Sequence, residues 1–216
     1  MAPTTPRPTW RAALRAALRT NGAKAHAKYA QLATVDARTG APAVRTVVFR
    51  GFGDETYDAR DVDDARRDAL AVCADARSRK IEDVARDARG ELAWYFTETR
   101  EQFRVTGTLT TATATRGDDA DARARANLWR KMRRSARGQF LWPAPGDARS
   151  EEGAGDAGTR DVDETDARLD DDAVGEHFAL VTLRATRVDH LSLRKNERTV
   201  YERAVDGAWT ARRVNP

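Results

Sequence analysis

Hydrophobic residues follow two different periods along this chain. Near its start Trp10, Leu14 and Leu18 recur at helical spacing after a capping Thr9, and "TNG" ends the pattern, so a helix is expected over about 9–20. From Tyr29 the period shortens. Tyr29 to Asp36 alternates loosely, "RTGA" supplies a turn around Gly40, and "PAVRTVVFRGF" is rich in β-branched residues, which together predict a β-hairpin. "LAVCA" reads as a short strand, and Ile81, Val84, Ala85 and Ala88 then repeat at i, i+3, i+4 and i+7, so "DARSRKIEDV" opens a short helix. "ELAWYFT" and "QFRVTGTLTTATA" are two further strands joined by "ETRE".

Asp119 to Arg137 has a helical pattern, with Leu128 and Met132 at i and i+4. Beyond it the text turns to Gly, Pro, Asp and Glu. About 147–176, including "DVDETDARLDDD", has too little apolar content to pack and reads as an acidic loop or insertion. "HFALVTLRATRVDHLSL", "RTVYERAV" and "AWTARRVNP" are closing strands, the last two joined by the hairpin signal Asp206-Gly207. Residues 1–216 therefore read as one domain, mainly β with peripheral helices. An antiparallel arrangement closed into a barrel suits this order better than a βαβ sheet.

Composition narrows the classes. The formal charge is only +4 although 33% of residues are charged, so acids and bases largely offset each other and general polyanion binding does not follow. The single Cys73 cannot form an internal disulfide, and Cys73, His26, His177 and His190 lack metal-ligand spacing, so a reducing compartment and no structural metal are expected. No apolar stretch approaches transmembrane length and the start lacks the apolar core of a secretory signal. An intracellular, soluble chain is the expectation, cytoplasmic by default. The Arg-rich, acid-free opening fits an organelle transit peptide as well as an ordinary amphipathic helix, and both readings stay open.

Candidate chemistry concentrates in three places. "VRTVVFR" puts Arg45, Val47 and Phe49 on one strand face and Thr46, Val48 and Arg50 on the other. "ARSRK" brings Ser78, Arg79 and Lys80, beside Arg77, to a helix entrance whose dipole is already positive, a combination suited to a phosphate dianion. Gln102 adds an amide that both donates and accepts, within a strand whose inward positions would favour apolar residues. A second interpretation remains beside the anion site. Strand arginines usually lie on a solvated face, and the basic helix start could pair with Asp75 or Glu82. No triad or carboxylate pair is present, so no catalytic residue is assigned.

Three motifs, "RTVVFRGF", "DARSRKIEDV" and "AWYFTETREQFRVTG", resemble in order and spacing the flavin-binding half of the pyridoxamine 5'-phosphate oxidase family, whose members are FMN-binding split barrels. "WYF…REQFR" and "FLWPAPG" are most similar to its plant and cyanobacterial-type FMN-binding subgroup. The resemblance is fullest over Tyr29 to Thr110, continues over Asn127 to Gly146, and is faint over Thr186 to Pro216, with the acidic insertion outside it. It implies that Arg45, Thr46, Val47 and Val48 line the FMN strand, that Ser78, Arg79 and Lys80 hold the FMN phosphate, and that Gln102 reaches the ring. Arg203 is matched to the last arginine of the family's Arg-x-His-x-Arg pattern, but this chain reads "RTVYER", so Tyr201 replaces the histidine. The tryptophan that precedes that pattern has no counterpart among Leu191, Ser192 and Leu193.

For the substrate, the resemblance points to Arg50, Trp129 and Arg133, and a phosphate-bearing substrate would need a cationic pocket to which Arg137 could also contribute. It implies a homodimer with FMN at the subunit interface, and a small-molecule partner, of which pyridoxamine 5'-phosphate is the leading guess. Three functions stay open: an FMN-dependent oxidase that takes a hydride from an amine and is reoxidised by O2; a flavin reductase or FMN-binding protein without vitamin B6 activity; and a nucleic-acid-binding barrel using "RARANLWRKMRRSAR". The last is disfavoured because helical phase spreads those cations around the circumference. No nucleic-acid or membrane partner is expected.

Overall fold

A computed structural model describes residues 9–148, 163 and 165–216. The side chain of Thr9, and with it the expected cap, lies outside the described residues, as does the middle of the acidic segment. The strands are β1 (Tyr29–Val35), β2 (Pro42–Phe52), β3 (Leu70–Asp75), β4 (Arg89–Phe96), β5 (Glu101–Ala112), β6 (Phe178–Ser192), β7 (Glu197–Arg203) and β8 (Trp209–Val214). The helices are α1 (Thr9–Asn21), α2 (Gly53–Thr56), α3 (Asp64–Arg67), α4 (Arg79–Arg86), α5 (Asp119–Lys131) and α6 (Arg134–Arg137).

All strand pairs are antiparallel, in the order β3-β2-β1-β4-β5-β6-β7-β8, and a further β3–β6 pairing closes the first six into a barrel. β6 makes this possible because its 15 residues serve two partners on one edge. Phe178 to Leu183 pair with β3, whereas Arg187 to Ser192 pair with β7, so the β7–β8 hairpin departs from the barrel where β3 ends. The other edge of β6 follows β5 throughout, with a bulge at Thr106 and Gly107. A Cβ on Gly107 would lie 2.1 Å from Arg184 O, so the close approach there requires glycine.

Alternation sends Leu32, Val47, Phe49, Leu92, Trp94, Phe103, Val105, Leu183 and Val188 into the barrel core. β2 runs from Arg45, beside α4, to Phe52, where α1 supplies Trp10 and Leu14 to the same core. Ile81 and Val84 of α4 join it, as the helical spacing in the sequence required. A second apolar cluster lies outside the barrel wall. Here α5 lays Ala120, Ala124, Leu128 and Trp129 over Ala71, Phe178 and Leu180, so these parts of β3 and β6 are buried on both faces.

Two expectations need correction. The helix expected over Asp119 to Arg137 breaks, because Met132 and Arg133 are extended (ψ 145° and 147°) between α5 and α6. The break lets Arg137 fold back under α5. Its guanidinium is buried and donates to Trp129 O (3.0 Å), Arg130 O (3.1 Å), Leu169 O (2.6 Å) and Asp171 Oδ1 (2.6 Å). The same contacts correct the reading of about 147–176 as unpacked. Its described end docks on the helices through buried Leu169, through Trp129 Nε1 donating to Asp170 O (2.8 Å), and through Arg134 paired with Asp170 and Arg130 with Asp172. Apolar content alone misses this, because the segment is held by arginine-to-carbonyl bonds.

Replacing Arg137 with leucine keeps bulk but strands the Arg130 and Leu169 carbonyls around an apolar side chain, while Trp129 O keeps its bond from Met132 N. The expected loss is about 3 kcal/mol, read by urea unfolding, because unsatisfied buried groups each cost about 1–3 kcal/mol and water recovers part of it.

Candidate functional site

The β1–β2 hairpin and α4 meet at one barrel mouth, and the buried carboxylate of Asp83 joins them. It accepts from Thr34 Oγ1 (2.7 Å), Ala37 N (3.1 Å) and Arg45 Nη2 (3.2 Å). Arg45 Nη1 also reaches Thr34 Oγ1 at 2.5 Å, with Ala43 O at 3.1 Å and Leu32 O at 3.4 Å. The arginine that the strand pattern singled out thus sits at the end of the inward face, where the core stops and α4 begins.

At the entrance of α4 the four polar residues divide their tasks. Arg77 pairs with Asp75 (2.6 Å) and donates to Trp142 O (2.9 Å), so for this residue the local pairing expected as the alternative to an anion site is realised. Ser78 is buried; its hydroxyl donates to Asp75 O (2.6 Å) and accepts from Lys80 Nζ (2.9 Å). Arg79 is largely exposed and reaches Asp36 at 2.9 Å. Two backbone N–H donors, Arg38 and Thr39, with the Thr39 hydroxyl and Arg79, hold the Asp36 carboxyl at about 2. Burial, and then the charge of Arg45, push the Lys80 ammonium down from its ordinary value.

Arg45, Arg79 and Lys80 converge with Asp36, Ala43, Val44 and Asp83 on a cavity of about 440 Å³. Pro145 and Gly146 complete its rim, which brings the "FLWPAPG" motif to the same place. Three cations face two carboxylates here, and Lys80 carries its charge against burial and a neighbouring guanidinium. A phosphate dianion would relieve both costs, so the donor set fits one. Ser78 does not line this cavity; it holds Lys80 instead. Asp83, Thr34 and Asp36 were missed in the sequence. The available signal was an acid at position 83 between Ile81 and Val84 on the apolar side of a short helix.

From the mouth, the outer face of the sheet runs as a continuous row. Thr46, Gln31, Ala93, Arg104 and Asp189 are in register across five strands. Val48 opposite Tyr29, and Tyr95 opposite Gln102, flank that row on the same face. Gln102 therefore points out of the barrel, opposite in sense to Phe103, so its polarity offends no apolar position. Arg104 (2.6 Å) and Arg198 (2.7 Å) both grip buried Asp189, whose carboxyl they hold below its ordinary range, Arg198 first. Tyr29 (45% exposed), Tyr95 (46%) and Val44 (64%) leave an aromatic and aliphatic patch on this face.

Arg50 lies on the same outer side of β2 at a bulge, since Phe49 pairs with Val72 and Gly51 with Ala71. Its Nε is buried without a hydrogen-bond partner among the described residues. It lines a second cavity, about 480 Å³, with Lys24 and Lys28.

Other expected site residues are placed elsewhere. Val47 is buried in the barrel core, because it shares the inward face with Phe49, whereas its neighbours Thr46 and Val48 present their side chains outward. Trp129 is fully buried between Phe140 and Phe178, so within this chain it walls no ligand pocket. Arg133 is exposed at the break before α6, and Arg137 is committed to carbonyls and Asp171. Arg203 sits in the β7–β8 hairpin, where its Nε meets Gly207 O at 3.4 Å, and does not line the Arg45 cavity. Tyr201, in place of the family histidine, belongs to the barrel core. Most cations of "RARANLWRKMRRSAR" are matched within the chain. Arg123 pairs with Asp61, Arg125 donates to Phe178 O and Gly175 O, and Lys131 donates to Glu55 O. Among the described residues, no His, Cys, Asp and Glu group could hold a metal ion, and no helix is long and apolar enough to cross a membrane.

Comparison with known proteins agrees with this layout. Residues 7–113 match the family model described as pyridoxamine 5'-phosphate oxidase, FMN-binding domain. Pyridoxine/pyridoxamine 5'-phosphate oxidase 2 of Arabidopsis thaliana is 30% identical over 213 residues, 96% of each chain. The crystal structure of a pyridoxamine 5'-phosphate oxidase-related, FMN-binding protein from Nostoc punctiforme superposes with a TM-score of 0.82 at 33% identity, covering 99% of this chain and 100% of that one. PhzG of Burkholderia lata, with tetrahydrophenazine-1-carboxylic acid, shares the fold at a TM-score of 0.67 and 14% identity, over 100% and 95% of the two chains. With its motifs in family order on a closed barrel, the chain belongs to the pyridoxamine 5'-phosphate oxidase family and carries that family's FMN-binding domain.

Proposed function

We propose that the protein is an FMN-dependent oxidoreductase that seats the FMN phosphate in the cavity of Arg45, Arg79 and Lys80. The convergence of these three cations on one cavity carries the reading. Ser78 would act through Lys80, whose ammonium it holds at 2.9 Å. Along β2, Arg45 and Val48 are three steps apart, about 10 Å at ~3.3 Å per residue, a span suited to a ribityl chain. Thr46 and Val48 would then support the ring, with Gln102 offering an amide on the same face. FMN, when bound, supplies hydride acceptance from an amine substrate and reoxidation by O2. The protein's share is to bind, orient and shield.

The exposed Tyr29, Val44 and Tyr95 beside the ring position favour a two-fold homodimer that covers this face. Arg50, with an unpartnered Nε and two lysines around its cavity, is the residue suited to an anionic substrate group. Arg203, remote from the cavity in its own chain, would have to serve from elsewhere in such an assembly.

A second reading is favoured by one observation. Trp129, which the family resemblance assigns to the substrate, is sealed in the core, and Arg137, a further cation considered for it, is committed to carbonyls and Asp171, which leaves Arg133 exposed without either of them. This supports an FMN-binding protein or flavin reductase with little activity on vitamin B6 compounds.

Three measurements test these statements. Purified protein should show the absorption bands of oxidised flavin, and Arg79→Glu or Lys80→Glu should weaken FMN at least about tenfold, since charge-assisted bonds to phosphate are lost. Arg116→Glu, at an exposed turn, should change affinity by less than about twofold; equal effects would place the phosphate elsewhere. Mixed anaerobically with pyridoxamine 5'-phosphate, the FMN form should bleach slowly; bleaching by NADPH instead would select the reductase reading. In sedimentation the FMN form should run as a dimer, and Tyr95→Arg should shift it toward monomer; a stable FMN-loaded wild-type monomer would refute the assembly.

A further inference from the structure

We propose that Asp83, together with Thr34, is the positioning residue of the cofactor-phosphate site, holding the Arg45 guanidinium so that its Nε edge faces the cavity. This rests on the reading that the cavity takes the FMN phosphate.

A guanidinium has five N–H donors in a fixed fork. Arg45 Nη1 is directed at Thr34 Oγ1 (2.5 Å), with Ala43 O and Leu32 O beside it, and Nη2 gives one bond to Asp83 Oδ2 (3.2 Å). Nε has no hydrogen-bond partner among the described residues, and Arg45 lines the cavity. What remains is the side fork of Nε and Nη2, the edge that meets two oxygens of a phosphate or carboxylate. Arg77 and Arg89 use that same edge on Asp75 and Asp87.

Asp83 is itself fixed by two partners besides Arg45. Ala37 N holds one oxygen at 3.1 Å, and Thr34 Oγ1 holds the other at 2.7 Å. Its side chain is only 4% exposed, while that of Arg45 is 24% exposed. The buried acid is the anchor and the arginine is the arm. The arrangement links the first strand, the second strand and α4, so it also sets where Lys80 stands relative to Arg45.

The sign of the effect separates positioning from a plain electric field. A carboxylate beside an anion site repels the anion, so removing its charge should tighten phosphate binding on Coulomb's law alone. Loss of positioning should weaken it. A purely structural role would lower affinity for any flavin together with stability.

The test titrates full-length, flavin-stripped protein with FMN and with riboflavin, which lacks the phosphate. Asp83→Asn and Thr34→Val should each weaken FMN about tenfold, the scale of one lost charge-assisted bond and its preorganisation, while riboflavin changes by less than about twofold. Thr34→Ser, which keeps the hydroxyl, should retain wild-type FMN affinity. In an Arg45→Met background Asp83→Asn should have no further effect, because the residue acts through the arginine. Tighter FMN binding by Asp83→Asn, a parallel fall in FMN and riboflavin affinity, or an undiminished effect in the Arg45→Met background would overturn the proposal. If Asp83→Asn does not fold, the contrast between Thr34→Val and Thr34→Ser decides. Wild-type protein that binds FMN and riboflavin equally would instead show that the cavity holds no phosphate, and the inference would fall with that reading.

Discussion

The pairing of β6 with two different partners along one edge is the constraint on which the rest depends. Phe178 to Leu183 close the barrel against β3, and Arg187 to Ser192 carry the β7–β8 hairpin away from it. Closure removes the free edges that a six-stranded sheet would expose and creates a dry interior for Trp94, Phe103 and Val105. It also fixes the outer face. The β3 and early β6 side is covered by α5, while the β1, β4 and β5 side keeps its row of polar and aromatic side chains open. The candidate cofactor surface is the part of the barrel wall that no helix among the described residues covers.

Charge is handled by pairing at every scale, which reconciles a highly charged sequence with a net charge of +4. Short-range pairs such as Arg77 with Asp75, Arg89 with Asp87 and Arg168 with Asp166 organise turns. They are mostly exposed and add little stability each. Buried arginines do more, because their partners are backbone carbonyls and acids that would otherwise be stranded. Arg11 ties α1 to Asp54 and Asp68, and Arg137 ties the acidic segment to α5. Against this background the Arg45 cavity is distinctive because one of its three cations, Lys80, is pushed down from its ordinary proton affinity by burial and by the neighbouring Arg45.

The strands along the chain and their closure into an antiparallel barrel were legible from alternation and turn signals, and α4 was legible from the spacing of Ile81 and Val84. The basic helix entrance with Arg79 and Lys80, and the strand arginine Arg45, stood out in the sequence as an unusual local pattern, and the fold brings all three to one cavity. What the residues alone could not show was orientation over distance. Trp129 and Arg137 carry the right chemistry for a ligand, but the break at Met132 and Arg133 turns one into core and the other into a clamp on carbonyls. Asp83 went unnoticed for the converse reason. Its partners Thr34 and Arg45 are 49 and 38 residues away, so their meeting is a product of the hairpin docking on α4.

Local periodicity therefore determined the elements, and the order of motifs determined the family, since both depend on neighbours along the chain. The tertiary structure decided which polar groups are consumed and which are left facing a cavity. That depends on burial and on contacts between distant strands, where an arginine finds its acceptors only after the barrel has closed.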